Sequence, residues 1–250
     1  MKENDDFKKR INDLAERCDR NAAVTSTVFL TPAEQYELGT MAFPGMEIRT
    51  VLYGGIEDAE RKIAIFLPYY EDEETFSCSD YIRVLKVVSG FGEPSHKDYL
   101  GAVLGLGIER DRIGDIIFTG STAYVFCVPS VASLILNELE KVGRCGVKVE
   151  ETSPETVPRQ EKTAKKMTFT VKSLRLDAVA GNLFGISRTQ AAELIRLGAV
   201  NLNYKLCEKA DAPVEEGAVI SVRGKGKGRI TEIGGKSRKD RLFVSAEKYL

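Results

Sequence analysis

The chain has 250 residues, 43% of them apolar and 29% charged, and is therefore long enough to bury one or two ordinary hydrophobic cores. Its 36 lysines and arginines nearly balance 37 aspartates and glutamates, so the net charge of −1 by itself favours no class of partner. The apolar runs are too short to span a bilayer, and the first residues lack the apolar stretch of a secretory signal.

The charge is distributed unevenly along the chain. Residues 1–80 carry 9 basic and 17 acidic side chains, whereas residues 159–250 carry 19 basic and 10 acidic ones. The resulting net charges are −8 at the start and +9 at the end. This asymmetry indicates that a nucleic acid or another anionic surface would bind the C-terminal part.

The sequence offers few candidates for metal or redox chemistry. The five cysteines are scattered without a CxxC pair, which favours a reducing cytoplasm and argues against a disulfide scaffold or a zinc knuckle. The single histidine, His96, is predicted to cap or pack at a helix start. We therefore predict neither a metal site nor a cofactor.

The first 80 residues are predicted to form an α/β subdomain. Asp5–Arg20 is interpreted as a helix with one apolar stripe. That stripe consists of Phe7, Ile11, Leu14 and Cys18. Thr31 is the expected N-cap of a second, short helix, with Pro32 at its first position. Two strands are predicted next, over Arg49–Gly54 and Arg61–Leu67.

Residues 81–151 are predicted to form a ferredoxin-like domain. The expected strand, helix, strand, strand, helix and strand cover Tyr81–Val88, His96–Leu106, Ile113–Thr119, Thr122–Val128, Ser130–Val142 and Gly146–Glu150. Two such βαβ-like halves, joined by a tight turn, describe this type of sheet. Tyr124 and Phe126 share one face of the third strand. They are expected either to stack RNA bases, as aromatics on RRM sheets do, or to pack against the first 80 residues.

A linker is predicted over residues 152–166, where prolines and charged residues replace any apolar periodicity. The C-terminal domain, residues 167–250, is predicted to begin with a helix over Ser173–Leu183, which Gly185 ends, and a helix over Arg188–Leu197. Ser187 and Gln190 form a capping box at the second helix. The expected short strands cover Val200–Tyr204, Ala218–Arg223, Arg229–Ile233 and Leu242–Ser245.

The strongest functional signal is the segment SVRGKGKGRI, residues 221–230. Its four cations, separated by glycines, are Arg223, Lys225, Lys227 and Arg229. In a strand they would share one face, and in a loop the glycines would let backbone N–H groups approach phosphates. The alternative to phosphate binding is a solvated hairpin tip. Further cations are predicted to widen the same patch, namely Lys236, Arg238, Lys239 and Arg241.

A second group of basic and polar residues lies on or beside the two predicted helices. Ser187 and Arg188 stand at the start of the second helix, where N–H donors and the helix dipole attract phosphates. The alternative for this group is a solvated polar face. The full predicted RNA-binding set is Lys172, Arg175, Ser187, Arg188, Gln190, Arg196, Lys205, Arg223, Lys225, Lys227 and Arg229.

Residues 173–223 resemble the RNA-binding module named after small-subunit ribosomal protein S-four. The matching positions are Arg175-Leu176-Asp177, Ser187-Arg188, Ala191, Ile195, Gly198, Val200 and the Glu216-Gly217 turn. The sequence departs from that module at Tyr204, where a glycine commonly follows the asparagine. Residues 96–117, HKDYLGAVLGLGIERDRIGDII, are similar to the signature of the YlmH-like family of Gram-positive bacteria, in which an S-four module follows an RRM-like domain.

The predicted fold class is α+β, with an α/β subdomain, an RRM-like middle domain, a linker and a small S-four-type module. The resemblance implies a ribosome-associated protein without catalytic activity. It also implies contacts with ribosomal RNA and peptidyl-tRNA on an obstructed large subunit, in ribosome-associated quality control. We therefore expect a cytoplasmic monomer with structured RNA and the large ribosomal subunit as partners, and with no membrane or small-molecule partner.

Two other functions stay open from the sequence. One is an RNA-modifying enzyme with its active site in residues 1–151. Arg175-Leu176-Asp177 resembles the RLD of pseudouridine synthases, but in those enzymes a catalytic domain follows the module, so Asp177 is predicted to be structural or to orient arginines. The other is a protein–protein adaptor, linked to cell division, that uses the acidic residues 1–80.

Overall fold

The computed structural model describes residues 2–71, 76–159 and 164–249, apart from the side chains of residues 2–4. The chain divides into two compact units, residues 1–160 and 161–250. The first contains α1 Lys2–Asn21, β1 Thr25–Ser26, α2 Pro32–Gly39, β2 Ile48–Tyr53, β3 Ile63–Pro68, β4 Arg83–Ser89, α3 His96–Leu104, β5 Ile113–Thr119, β6 Thr122–Cys127, α4 Pro129–Glu138, β7 Lys141–Val142 and β8 Cys145–Thr152. The second contains β9 Ala164–Val171, α5 Leu176–Phe184, α6 Arg188–Arg196, β10 Val200–Leu202, β11 Lys205–Leu206, β12 Val219–Val222, β13 Gly226–Lys236 and β14 Leu242–Tyr249.

The first unit is a stack of layers in which β3 lies between two cores. Ala64 and Phe66 of β3 pack with the predicted apolar stripe of α1. Ile63, Ile65 and Leu67 belong to a second core that also contains side chains of the middle sheet. Because both faces of β3 are covered, its whole sequence IAIFLP is apolar and buried.

The short helix α2 begins as the sequence predicts. Thr31 is its N-cap and Pro32 its first residue, and Thr31 and Glu34 form a capping box. The Glu34 carboxylate accepts hydrogen bonds from the Thr31 N–H at 2.7 Å and from the Thr31 hydroxyl at 2.8 Å. The Glu34 N–H in turn donates to the Thr31 hydroxyl oxygen at 3.3 Å, which gives a partner to a donor that the first helical turn leaves unsatisfied.

The middle sheet has the ferredoxin-like arrangement that the sequence predicts, with the strand order β5-β6-β4-β8-β7 and antiparallel pairs throughout. Helices α3 and α4 contribute to the core on one of its faces. The prediction of one helix over Ser130–Val142 is wrong at its end, because α4 stops at Glu138 and Lys141–Val142 pairs with β8. Gly143, with a φ of 59°, allows the tight turn that makes this pairing, and Val142 is fully buried.

The expectation that Tyr124 and Phe126 stack RNA bases is wrong, and the alternative of internal packing is confirmed. Both side chains lie in the core with Phe29 and with residues of β3, at 8% and 0% exposure. A Cβ on Gly55 would lie 2.7 Å from the Phe126 ring, so the chain needs glycine there to approach it. The first 80 residues therefore cover the face on which an RRM sheet binds bases.

The second unit is a six-stranded antiparallel sheet with the order β11-β10-β12-β13-β14-β9. Side chains of α5 and α6 form one core with the inner face of this sheet. Helix α5 begins at Leu176 rather than Ser173, because Arg175 makes a bridge to Pro213 and the Leu176 N–H binds the Ala212 carbonyl. It ends where predicted, at Gly185, which is left-handed with a φ of 67°.

The sheet of the second unit is more extensive than the sequence predicts. Strand β9 was missed although Met167, Phe169 and Val171 alternate with polar residues, and it pairs with β14 along its whole length. The predicted linker therefore overlaps β8 at Thr152 and β9 at its other end, and its residues 160–163 lie outside the described residues. Strands β13 and β14 each extend several residues beyond their predicted ends.

All five cysteines are free. Burial raises the pKa of Cys127 to about 12, because the thiol lies in the core between the middle sheet and its helices. Among the residues that the structure describes, none of the helices combines the length and the apolar character that crossing a bilayer needs.

Candidate nucleic-acid interface

The glycine-rich basic segment is a hairpin that is partly turn and partly strand. Val222 pairs with Gly226, so residues 223–225 form the turn and place Arg223 and Lys225 at its tip, where both are exposed. Lys227 lies in β13 opposite Ser221, and Arg229 is two residues further along the same strand. Each of the two interpretations of this segment, strand and loop, therefore holds for half of its cations.

The strand half directs its two cations away from the helices. Gly228 and Ile230 alternate with Lys227 and Arg229 along the strand. The glycine and the isoleucine are buried on the inner face of the sheet. A Cβ on Gly228 would lie 2.9 Å from the Glu247 carbonyl oxygen and 3.0 Å from a methyl carbon of Leu183. The glycine thus lets α5 approach the sheet, and the cations occupy the outer face.

The hairpin tip lies beside the end of α6, not beside its start. The Arg223 N–H donates to the Ala199 carbonyl at 2.9 Å. Ala199 is the third residue after the end of α6 at Arg196. Arg196 is exposed in the last turn of the same helix. Because nine helical residues span about 13 Å, Arg188 at the helix start belongs to a different part of the surface.

At the start of the helices, a buried carboxylate holds two arginines. Asp177 is 4% exposed, and its carboxylate accepts hydrogen bonds from Arg175 at 3.1 and 3.3 Å and from Arg188 at 3.1 Å. Burial acts to raise the pKa of Asp177, but the two guanidinium groups outweigh it and hold that pKa below its usual range. Asp177 therefore orients both arginines, as the sequence predicts.

A cavity of about 280 Å³ lies next to this arginine pair. It is lined by Val171, Lys172, Ser173, Ala178, Gly181, Asn182, Ile186, Arg188 and Arg241. Arg241 is fixed by hydrogen bonds to the hydroxyl and carbonyl of Thr170. Among the described residues that line this cavity, three are cations and none is a carboxylate, so its chemistry suits an anion such as a phosphate.

The prediction that Lys236 to Arg241 widen the hairpin patch is wrong. Lys236 is the last residue of β13 and the others follow it, so ten residues of strand separate this segment from the turn by roughly 30 Å. Lys236 forms an ion pair with Asp240 at 2.7 Å, and Arg241 belongs to the cavity. The basic residues thus form two groups, which we call the hairpin group (Arg223, Lys225, Lys227, Arg229) and the cavity group (Lys172, Arg188, Arg241).

The remaining predicted residues have other surroundings. The Ser187 hydroxyl accepts from the Gln190 N–H at 3.1 Å, and the Gln190 side-chain oxygen accepts from the Ser187 N–H at 3.0 Å. Both side chains thereby complete the predicted capping box of α6. Lys205 is exposed on the short edge strand β11.

Two tyrosines near the hairpin were not among the predicted site residues. The Lys227 ammonium lies 5.0 Å from the centre of the Tyr204 ring and 6.0 Å from that of Tyr249. The signal for Tyr204 was its place in a turn where glycine is common. Its φ of 66° confirms that the turn uses the left-handed conformation there.

The described part of the chain gives little support to a metal site or to a catalytic histidine. Within residues 2–71, 76–159 and 164–249, no group of three or more His, Cys, Asp or Glu side chains could hold a metal ion. His96 is the first residue of α3, and its ring packs 5.7 Å from that of Phe118.

Comparisons with known proteins agree with this geometry. Residues 77–156 match the family model described as a putative RNA-binding domain in YlmH, and residues 174–220 match the S4 domain. The chain is 30% identical over 222 residues to the ribosome-associated protein quality control protein P2 of Bacillus subtilis, covering 89% of this chain and 86% of that protein. A solved structure, the cell division protein ylmH from Streptococcus pneumoniae, is similar with a TM-score of 0.55 and 22% identity, over 62% of this chain and 95% of that one.

Proposed function

The chain belongs to the YlmH-like family, whose members combine an RNA-binding domain with an S4 domain, and we propose that it binds structured ribosomal RNA without catalysing a reaction. The observation that carries the proposal is the hairpin group, four cations on a glycine-spaced turn and strand at the edge of the S4 region. Such a group neutralises phosphates and allows backbone N–H groups close to them.

The finer proposal concerns the ribosomal state. The Bacillus subtilis protein to which this chain is similar is named for ribosome-associated protein quality control. We infer that this chain acts in the same process in the cytoplasm. There it would contact ribosomal RNA and peptidyl-tRNA on an obstructed large subunit. The hairpin tip lies beside the end of α6, whereas the cavity group includes Arg188 at the start of that helix, about 13 Å away along its axis, which suits one module that touches two RNA segments.

The surroundings of Asp177 support a role without catalysis. Both carboxylate oxygens accept hydrogen bonds from guanidinium groups, and the side chain is buried. A nucleophile must instead present an oxygen to its substrate. The structure of this site therefore favours an arginine-orienting carboxylate over the nucleophile of a pseudouridine synthase.

Sedimentation of cell lysate on a sucrose gradient tests the proposal. We expect the wild-type chain to migrate with large ribosomal subunits, and Lys225→Glu with Lys227→Glu to abolish this migration. The matched control is Lys9→Glu with Arg17→Glu, which makes the same change of charge on exposed positions of α1. Equal migration of both double variants with the subunits would contradict the proposal.

The salt dependence of binding to purified large subunits provides a second measurement. Each lost phosphate contact lowers the slope of log K against log salt by about one, so the Lys225/Lys227 reversal should lower it by about two. The α1 control should keep the wild-type slope. An unchanged slope in the hairpin variant would show that these lysines do not contact phosphate.

Two measurements separate the alternatives. A modified nucleoside that appears in tRNA or ribosomal RNA only when the gene is present would favour an RNA-modifying enzyme. A protein partner that is captured after nuclease treatment, and that requires residues 1–80, would favour an adaptor.

A further inference from the structure

The outer face of the C-terminal sheet has two tyrosines next to Lys227 of the hairpin group. Tyr204 lies in the turn between β10 and β11, and Tyr249 ends β14. The Lys227 ammonium lies 5.0 Å and 6.0 Å from the centres of the two rings. Neither tyrosine is part of the hydrophobic core, and both side chains are partly exposed.

The conformation of Tyr204 is unfavourable for its residue type. Asn203 and Tyr204 have φ values of 49° and 66°, so the two-residue turn is left-handed at both positions. Turns of this kind prefer asparagine first and glycine second, because a Cβ at the second position is strained. The turn is held by the Asn203 N–H and side-chain oxygen, which bond the Val219 backbone at 2.8 and 2.9 Å.

The Tyr204 ring is therefore not explained by the fold of its own turn. Glycine would satisfy the same backbone with less strain, whereas tyrosine adds a ring that contacts Lys227. Strained residues that persist in a structure tend to mark functional sites. An aromatic ring next to a phosphate-binding cation is the combination with which proteins bind unpaired nucleotides.

We propose that Tyr204 and Tyr249 form a stacking platform for an unpaired base of the bound RNA, next to the phosphate that Lys227 neutralises. Stacking of this kind is tolerant of sequence, because every base has a π-face. The proposal rests on the RNA-binding function proposed above and specifies the part of the RNA that this face recognises, namely unpaired nucleotides in a loop or bulge.

The substitution Tyr204→Gly tests the proposal with opposite effects on stability and binding. The full chain would be titrated against a fluorescein-labelled RNA stem–loop and against the same RNA with abasic loop positions, which retain the phosphates but lack the bases. The wild type should bind the intact loop more tightly. Tyr204→Gly should weaken binding to the intact loop roughly 5- to 100-fold, bind both RNAs equally, and melt at the same or a higher temperature.

Tyr204→Phe is the matched control, because it retains the ring and should keep the preference for the intact loop. The salt slope of Tyr204→Gly should equal that of the wild type, since no phosphate contact is removed. Unchanged affinity of Tyr204→Gly for the intact loop would overturn the proposal. An equal loss of affinity for both RNAs would also overturn it, because the ring would then act only by positioning Lys227.

The outcomes also separate this inference from the proposed function. If the Lys225/Lys227 reversal weakens RNA binding and Tyr204→Gly does not, the stacking platform is wrong and the proposed function stands. If the wild-type chain binds neither the stem–loop nor large ribosomal subunits, the proposed function itself fails.

Discussion

Of the three antiparallel sheets in the described part of the chain, the five-stranded sheet of the first unit and the six-stranded sheet of the second use their faces differently. Each sheet has two helices on one face. In the first unit, the other face is covered by residues of the same chain, so Tyr124 and Phe126 are core residues. In the second unit, the outer face carries Lys227, Arg229 and two partly exposed tyrosines.

The difference shows that the function of an aromatic residue on a sheet cannot be assigned from its position in the strand alone, because it depends on what covers that face of the sheet. Aromatics on the third strand of a ferredoxin-like domain suggest base stacking. In this protein that position is occupied by the apolar side of β3, which would otherwise expose Ile63, Ile65 and Leu67 to water. Recognition of RNA by the middle domain would have to use a surface other than this covered face.

The largest expected effect comes from removing a buried ring on the covered face. Phe126→Ala should lower the free energy of unfolding of the first unit by about 3–5 kcal/mol, because Phe126 is fully buried. Urea unfolding would measure this loss, with Phe91→Ala of the same unit as the control that costs about 1 kcal/mol or less, because Phe91 is 64% exposed. A stable Phe126→Ala variant with weakened RNA binding would mean that the covered face is accessible.

The next effect concerns the buried carboxylate of the second unit. Asp177→Asn should cost about 2–3 kcal/mol, because it removes charged hydrogen bonds to Arg175 and Arg188. Since the folded pKa of Asp177 is below that of the unfolded chain, its contribution is present above about pH 4 and is lost as the pH falls through the folded pKa. Denaturant unfolding between pH 7 and pH 3 should show a smaller acid loss in the variant than in the wild type. Parallel pH profiles of the free energy of unfolding for the wild type and the variant would contradict the role of Asp177 as an ionised partner of the two arginines.

A smaller effect is expected where α5 meets the sheet. Gly228→Ala should cost about 1–2 kcal/mol, because the new methyl group contacts the Glu247 carbonyl while the end of Leu183 can move. Gly234→Ala in the same strand is the control, since its Cβ would have only ordinary contacts at 3.5 Å. Thermal unfolding of the pair measures the difference. Equal melting temperatures would show that the inner face is loosely packed.

The smallest effect is chemical and leaves the folded state unchanged. Burial raises the pKa of Cys127 to about 12, so its thiol should not react with a disulfide reagent at pH 8, whereas the partly exposed Cys207 in the second unit should react. Mass spectrometry of the labelled peptides would identify the modified cysteines. Labelling of Cys127 in the native protein would indicate that the middle sheet opens.

Local signals in the sequence predicted most elements correctly. The N-cap at Thr31, the capping box at Ser187 and the end of α5 at Gly185 depend on residues within a few positions of each other. The ferredoxin-like order of the middle domain also followed from local patterns. Strand β9 escaped prediction because only one face of its sheet is covered by helices, so its few apolar residues alternate with polar ones inside a charged segment.

The sequence by itself determined the acidic start, the basic end, the two types of domain and the glycine-spaced cations of the hairpin. These features are set by residue types and by contacts over short separations. Only the tertiary structure decided which cations share a surface and which aromatics face solvent. That outcome depends on contacts between distant segments. Arg241 and Arg188 line the same cavity, the hairpin tip bonds the backbone just after α6, and β3 covers Phe126. The charge of the C-terminal part was therefore readable from the chain, whereas its division into two groups, one of them beside a pair of tyrosines, required the fold.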